Sequence, residues 1–194
     1  MSQPQASQTD AAARAQTPQN PTGPGRLRRM AGWWGVLIPP LALAGVYAAR
    51  ALGSTGLIAK PVQEVAALML LPAAVAVFAV RWYRTRDRLH LVLTAFSAAL
   101  LCREIHFPGT HRGIYVAAAV IAVWCFLWRR SLIRRLWGTA KGRWLTIAAW
   151  SYALALLIQR RALRFLPDEA DLHVQLEEVL ENVSHFLLLV AALL

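Results

Sequence analysis

The chain reads as long apolar runs separated by short charged connectors. The runs fall at about 32–52, 62–83, 89–106, 113–128, 144–159 and 176–194. A helix rising about 1.5 Å per residue crosses a hydrocarbon core in about 20 residues. In lipid such a run must satisfy its own backbone hydrogen bonds, which a helix does. The pattern therefore predicts an all-α, polytopic membrane bundle of six transmembrane helices over residues 30–194. Pro39 and Pro40 should kink the first run. Pro167 places the start of the last helix near Asp168. Residues 1–29 are rich in Gln, Ser, Thr, Ala and Pro and end in Arg26, Arg28 and Arg29. Such a segment cannot build a core and is expected to be a disordered basic tail. It contains no apolar stretch of the kind that a signal peptide needs.

Composition agrees with the pattern. Of 194 residues, 57% are hydrophobic and 16% charged, which excludes an ordinary soluble domain and leaves no room for a second one. The net charge of +11 would suit nucleic acid, but its placement does not. Fourteen of the 21 Lys and Arg lie in the tail or in the loops after the second and fourth runs. That is the positive-inside pattern of an inner-membrane protein with both termini cytoplasmic. Trp33, Trp34, Trp82, Trp128, Trp137 and Trp144 gather at the same boundary, as an interfacial belt does. The basic loop Ser131–Arg143 reads as a membrane-surface segment drawn to anionic lipid. His90 is expected at the lipid headgroups or beside Asp87. Cys102 and Cys125 fall in different runs at different depths, which argues against a disulfide. The expected partner is the lipid bilayer, not nucleic acid.

The acids take the other side. Eight of ten, including Glu64, Glu104, Glu177, Glu178 and Glu181, fall at the outer ends of runs or in the last outer loop. Arg103, His106, His111 and Arg112 lie at the same level. The last run, LEEVLENVSHFLLLVAALL, carries the densest set. At 100° per residue, Glu177, Glu178, Glu181, Ser184 and His185 share an arc of roughly 120°. Ionisable groups at that depth should face the protein interior or a wet cavity.

Three readings of this layer stay open. In the first, Glu104, Glu177, Glu178 and Glu181 form buried ion pairs with Arg103 and neighbouring cations, and the layer is structural. In the second, His106, Glu181 and His185 hold a divalent metal such as zinc, with Glu104 or Glu177 as general base. The protein would then hydrolyse a lipid or small amphiphile. In the third, protonation of Glu64, Glu104 and Glu181 gates a small proton-coupled transporter. Glu64 is equally explained as a helix-dipole residue in the first turn of its span.

At REIHF (Arg103–Phe107), with Glu64 before it and EEVLE (Glu177–Glu181) after it, the chain resembles a loose group of uncharacterised bacterial multi-span inner-membrane proteins. That likeness implies the multi-span architecture and no particular chemistry. A fainter similarity is to the alkaline ceramidase-like intramembrane hydrolases. Those are seven-span proteins with zinc held by histidines, and the likeness would put Glu181 and His185 where their metal motif stands. The present chain departs from them in having six runs and no HxxxH.

Overall fold

A computed structural model describes residues 34–105 and 110–194. The expectations for the tail and for His106 lie outside the described residues. Among the described residues the chain is all-α and 87% helical, with seven α-helices. They are α1 (Ile38–Ala51), α2 (Lys60–Thr85), α3 (Arg88–Ile105), α4 (Thr110–Leu127), α5 (Arg129–Leu136), α6 (Ala140–Gln159) and α7 (Glu169–Leu193). Short 3-10 turns, Trp34–Leu37 and Thr55–Ile58, precede α1 and α2. Every apolar run of the sequence is helical over most of its length. The exception to the expected pattern is α5, a separate helix in what reads as a connecting loop.

Trp34–Ala51 and Lys60–Thr85 are long and apolar enough to cross a membrane. Gly113–Leu127 and Arg129–Leu136 make a third crossing only when taken together, and they are bent by 80°. Pro39 and Pro40 do not interrupt α1. They sit in its first turn, where the missing N–H groups have no intrahelical partner to lose. Pro61 serves α2 in the same way.

The last helix is the centre of the packing. Along α7, Leu172, Leu176, Leu180, Leu187, Leu188, Ala191 and Ala192 are buried, against α6 on one side and α1 and α2 on the others. Helix α3 packs on α2, and α4 packs on α3 at the periphery. Exposed apolar side chains such as Leu41, Met69, Val116 and Phe126 cover the outside. A water-soluble monomer rarely exposes so continuous an apolar surface.

Polar contacts fix which helix ends lie together. Tyr47 Oη donates to the Pro167 carbonyl at 2.8 Å, and Lys60 lies 3.9 Å from Glu178. These join the end of α1, the start of α2 and the start of α7 into an acidic end. At the opposite, basic end, Arg135 meets Asp87 at 2.7 Å and an Arg81 N–H donates to the Leu193 carbonyl at 2.6 Å. His90 is buried there rather than set among headgroups. Its Nε2 lies 3.0 Å from Lys141 Nζ and its Nδ1 3.2 Å from Thr85 Oγ1. An ammonium group only donates, so Nε2 accepts and Nδ1 carries the proton toward Thr85. Both cysteines are free thiols.

One backbone contact is set by glycine. The chain leaves α5 through Gly138, whose φ is +73°, and Thr139 caps α6 by accepting from the Gly142 N–H at 3.0 Å. A Cβ on Gly142 would overlap the Leu136 carbonyl, so only glycine lets α6 start against the end of α5. Gly142→Ala is expected to destabilise the fold by about 2 kcal/mol, read as an earlier thermal transition in mild detergent. Gly45→Ala, where no atom lies within 4 Å of the added Cβ, serves as control and is expected to leave the transition in place.

Candidate functional site

The acidic end collects side chains from α2, α3, α6 and α7, as the topology of the acids predicts. Its central contact joins α3 to α7. An Arg103 N–H donates to Glu181 Oε1 at 2.7 Å, while Arg103 Nε lies 4.0 Å from Glu104. Glu181 is only 7% exposed, so its charge depends on that guanidinium. Arg103 itself is 38% exposed and reaches inward from the rim.

The neighbouring acids are each engaged. Glu177 accepts from Gln159 Nε2 of α6 at 2.7 Å. Glu178 faces Lys60, which also meets Glu64 at 3.7 Å one turn along α2. Arg50 on α1 lies 3.7 Å from Asp171. Asn182 donates to the Gln63 carbonyl at 3.0 Å and to Gln63 Oε1 at 2.9 Å. Ser151 Oγ on α6 donates to the Leu180 carbonyl at 2.9 Å, the cross-helix bond expected of a polar residue in that span.

Two groups stand apart from this network. His185 is 1% exposed, and among the described residues its Nδ1 has no hydrogen-bond partner, nor has the hydroxyl of Tyr152. Their rings meet edge to face, centroids 5.6 Å apart. Phe96 on α3 packs edge-on against Tyr152 from the other side. The result is a buried stack from α3 through α6 to α7, directly below the ion pairs.

No family model, curated protein or solved structure matches the chain.

The structure thus links Glu64 and Glu178 through Lys60, Glu104 and Glu181 through Arg103, and Glu177 to Gln159, and sets His185 one turn below Glu181. His106 and the side chain of His111 lie outside what is described. Among the described residues no three His, Cys, Asp or Glu side chains stand close enough to hold a metal ion. Sequence reasoning left out Lys60, Gln159 and Asn182. Lys60 precedes the apolar run, and Gln159 and Asn182 are uncharged; nothing but their cross-helix distances distinguishes them. A cavity of about 400 Å³ opens nearby between α1 and α7, lined mainly by Ile38, Ala42, Val46, Val179 and Phe186 with Asn182 at its wall. Arg103, Glu104, Glu181 and His185 do not line it.

The Arg103–Glu181 contact makes a quantitative prediction. Removing the cation leaves a nearly buried carboxylate unpaired, which costs several kcal/mol when fully buried and less at a rim that water reaches. Arg103→Gln is expected to destabilise by about 2 kcal/mol, and Arg103→Gln with Glu181→Gln by less than the sum of the single changes. A double-mutant cycle on thermal or denaturant unfolding in detergent measures the coupling; a value of zero would remove the pair from the account of stability.

Proposed function

We propose that the chain is a six-span inner-membrane protein with both termini in the cytoplasm. Its acidic layer locks helix register, and the protein has a structural or accessory role. The observation that carries this reading is the Arg103–Glu181 pair at 2.7 Å, with Glu177 and Glu178 of α7 likewise met by Gln159 and Lys60 of other helices.

Six spans follow from adding α3, α6 and α7 to the apolar helices. The stripe of α7 faces the bundle rather than lipid, which is where intramembrane charges are tolerated. The contacts at the acidic and basic ends also support alternating directions for the six long helices, as six successive crossings require.

A second reading has one observation in its favour. The unpartnered Nδ1 of His185 stands one turn beyond Glu181, as a metal-dependent hydrolase of lipids or amphiphiles would need. Zinc bound there would polarise water; Glu104 or Glu177 would take its proton.

The two readings separate in one preparation. Protein purified without chelator is expected to carry no stoichiometric zinc or other divalent metal by elemental analysis. Its thermal transition is expected to stay unchanged on adding EDTA. Glu181→Gln is expected to lower the transition and cellular abundance, while His185→Gln changes the metal content not at all. About one metal per chain, lost in His185→Gln, would replace the register reading with the hydrolase.

A further inference from the structure

The strongest unassigned feature lies at the basic end, at the elbow between α4 and α5. The two helices bend by 80° at Trp128, and an open cleft of about 390 Å³ lies against the bend. Its walls are Arg88, Trp128, Arg129, Arg130, Ser131 and Arg134, with Leu127 at the edge. Four guanidinium groups and a hydroxyl therefore line one cleft.

These arginines differ from Arg135 beside them. Arg135, on the same helix, is taken by Asp87 at 2.7 Å. Among the described residues no carboxylate lies within ion-pair distance of Arg88, Arg129, Arg130 or Arg134. Two of the four are held in place by aromatic rings. Arg88 lies over Trp128 at 5.3 Å. Arg129 lies over Phe126 at 4.5 Å and donates to the Phe126 carbonyl at 3.2 Å. Arg130 and Arg134 are four apart on α5 and so project from one face. Leu132 is buried in the core beside Leu89 and Leu93, which fixes α5 and hence the cleft. Like charges gathered and oriented in this way repel one another unless an anion joins them.

We propose that this elbow binds the phosphate of an anionic membrane phospholipid. Planar guanidinium forks match phosphate oxygens in pairs, and basic pockets beside spans on the cytoplasmic face suit anionic headgroups. The neighbouring surface names the source of the phosphate. Val123, Phe126 and Leu127 are exposed along α4 beside the cleft, so an occupant with its phosphate among the arginines would lay its acyl chains on an apolar helix face. A nucleic acid or a free phosphate would leave that face uncovered.

The test uses the full chain in mild detergent. Its thermal transition is followed with added phosphatidylglycerol, with phosphatidylcholine of the same acyl chains, and with inorganic pyrophosphate alone. Phosphatidylglycerol is expected to raise the transition saturably, and the other two are not. Arg130→Gln with Arg134→Gln is expected to weaken the apparent affinity for phosphatidylglycerol about tenfold. Arg84→Gln with Arg164→Gln, an equal loss of charge at exposed positions away from the cleft, is expected to keep it. Equal loss in both pairs, an equal effect of phosphatidylcholine, or full reproduction by pyrophosphate would overturn the proposal. Should the Arg130/Arg134 variant melt early without lipid, the single exposed change Arg130→Gln decides. Phosphatidylglycerol retained through size-exclusion chromatography at wild-type level in that variant would equally overturn it.

Discussion

The carboxylate of Glu181 sits on the most buried helix of an apolar bundle, and the rest of the arrangement answers to it. A charge at that position is tolerated only against an opposite charge with good geometry. Arg103 supplies it from α3, a helix whose backbone packs on α2 rather than on α7. The side-chain pair therefore spans a gap that backbone packing does not close. A slip of α7 by one residue would turn Glu181 by about 100° and shift it by about 1.5 Å, breaking this pair together with the Gln159–Glu177 and Asn182–Gln63 bonds. Buried ion pairs add little net stability compared with apolar packing, so under the proposed reading the contribution here is uniqueness of register. The packing itself rests on apolar and small side chains, Ala67, Ala74, Ala155, Ala191 and Ala192 among them, which let helices approach closely.

The same helix is held at its far end by chemistry of the opposite sign. Helix C-termini leave carbonyl groups unsatisfied and carry partial negative charge. Arg81 donates to the Leu193 carbonyl there. Central α7 is thus tied by Arg103 of α3 at its middle and by Arg81 of α2 at its C-terminal end. Asp87 and His90 do comparable work around α5 and α6 through Arg135 and Lys141. The acidic end pairs Arg50, Lys60 and Arg103 with carboxylates, whereas at the basic end the four arginines of the elbow have no carboxylate partner among the described residues. This asymmetry also follows the direction of the charge bias along the chain.

What could be read in the sequence follows from what is periodic. The apolar runs locate six of the seven helices because burial in lipid or in a bundle demands continuous apolar stretches. The arc of Glu177, Glu181 and His185 could be computed because a helix turns by a fixed angle. The shared level of the acids and cations offered Arg103 as a partner for the glutamates of α7, but the choice among those glutamates could not be computed, because Arg103 and Glu181 are 78 residues apart. Asn182 falls about 40° outside the arc marked by the acids, so it pairs with α2 instead. Helix α5 was hidden because RRSLIRRL is mostly charge; its one core anchor, Leu132, gains meaning only when α3 is beside it. His90 looked like a surface group because its neighbours in sequence are charged. Its burial comes from Lys141, which is brought in by the turn at Gly138.

Register locking accounts for the charged groups of the layer and leaves Tyr152 and His185 over. Neither ring is there for want of an apolar residue of similar size, and a buried polar atom without a partner costs about 1–3 kcal/mol. A phenylalanine in place of Tyr152 would keep the edge-to-face stack with Phe96 and His185 and shed that cost. The lock therefore gives no reason for the hydroxyl or for the imidazole nitrogen. The two atoms share this condition with Gln175 Oε1 and Asn182 Oδ1 of α7, which are likewise buried without a hydrogen-bond partner among the described residues. His185 stands one turn below Glu181 on α7, and its ring packs through Tyr152 to Phe96 of α3, the helix that carries Arg103, so the ion pair and the ring stack join the same helices at two successive levels.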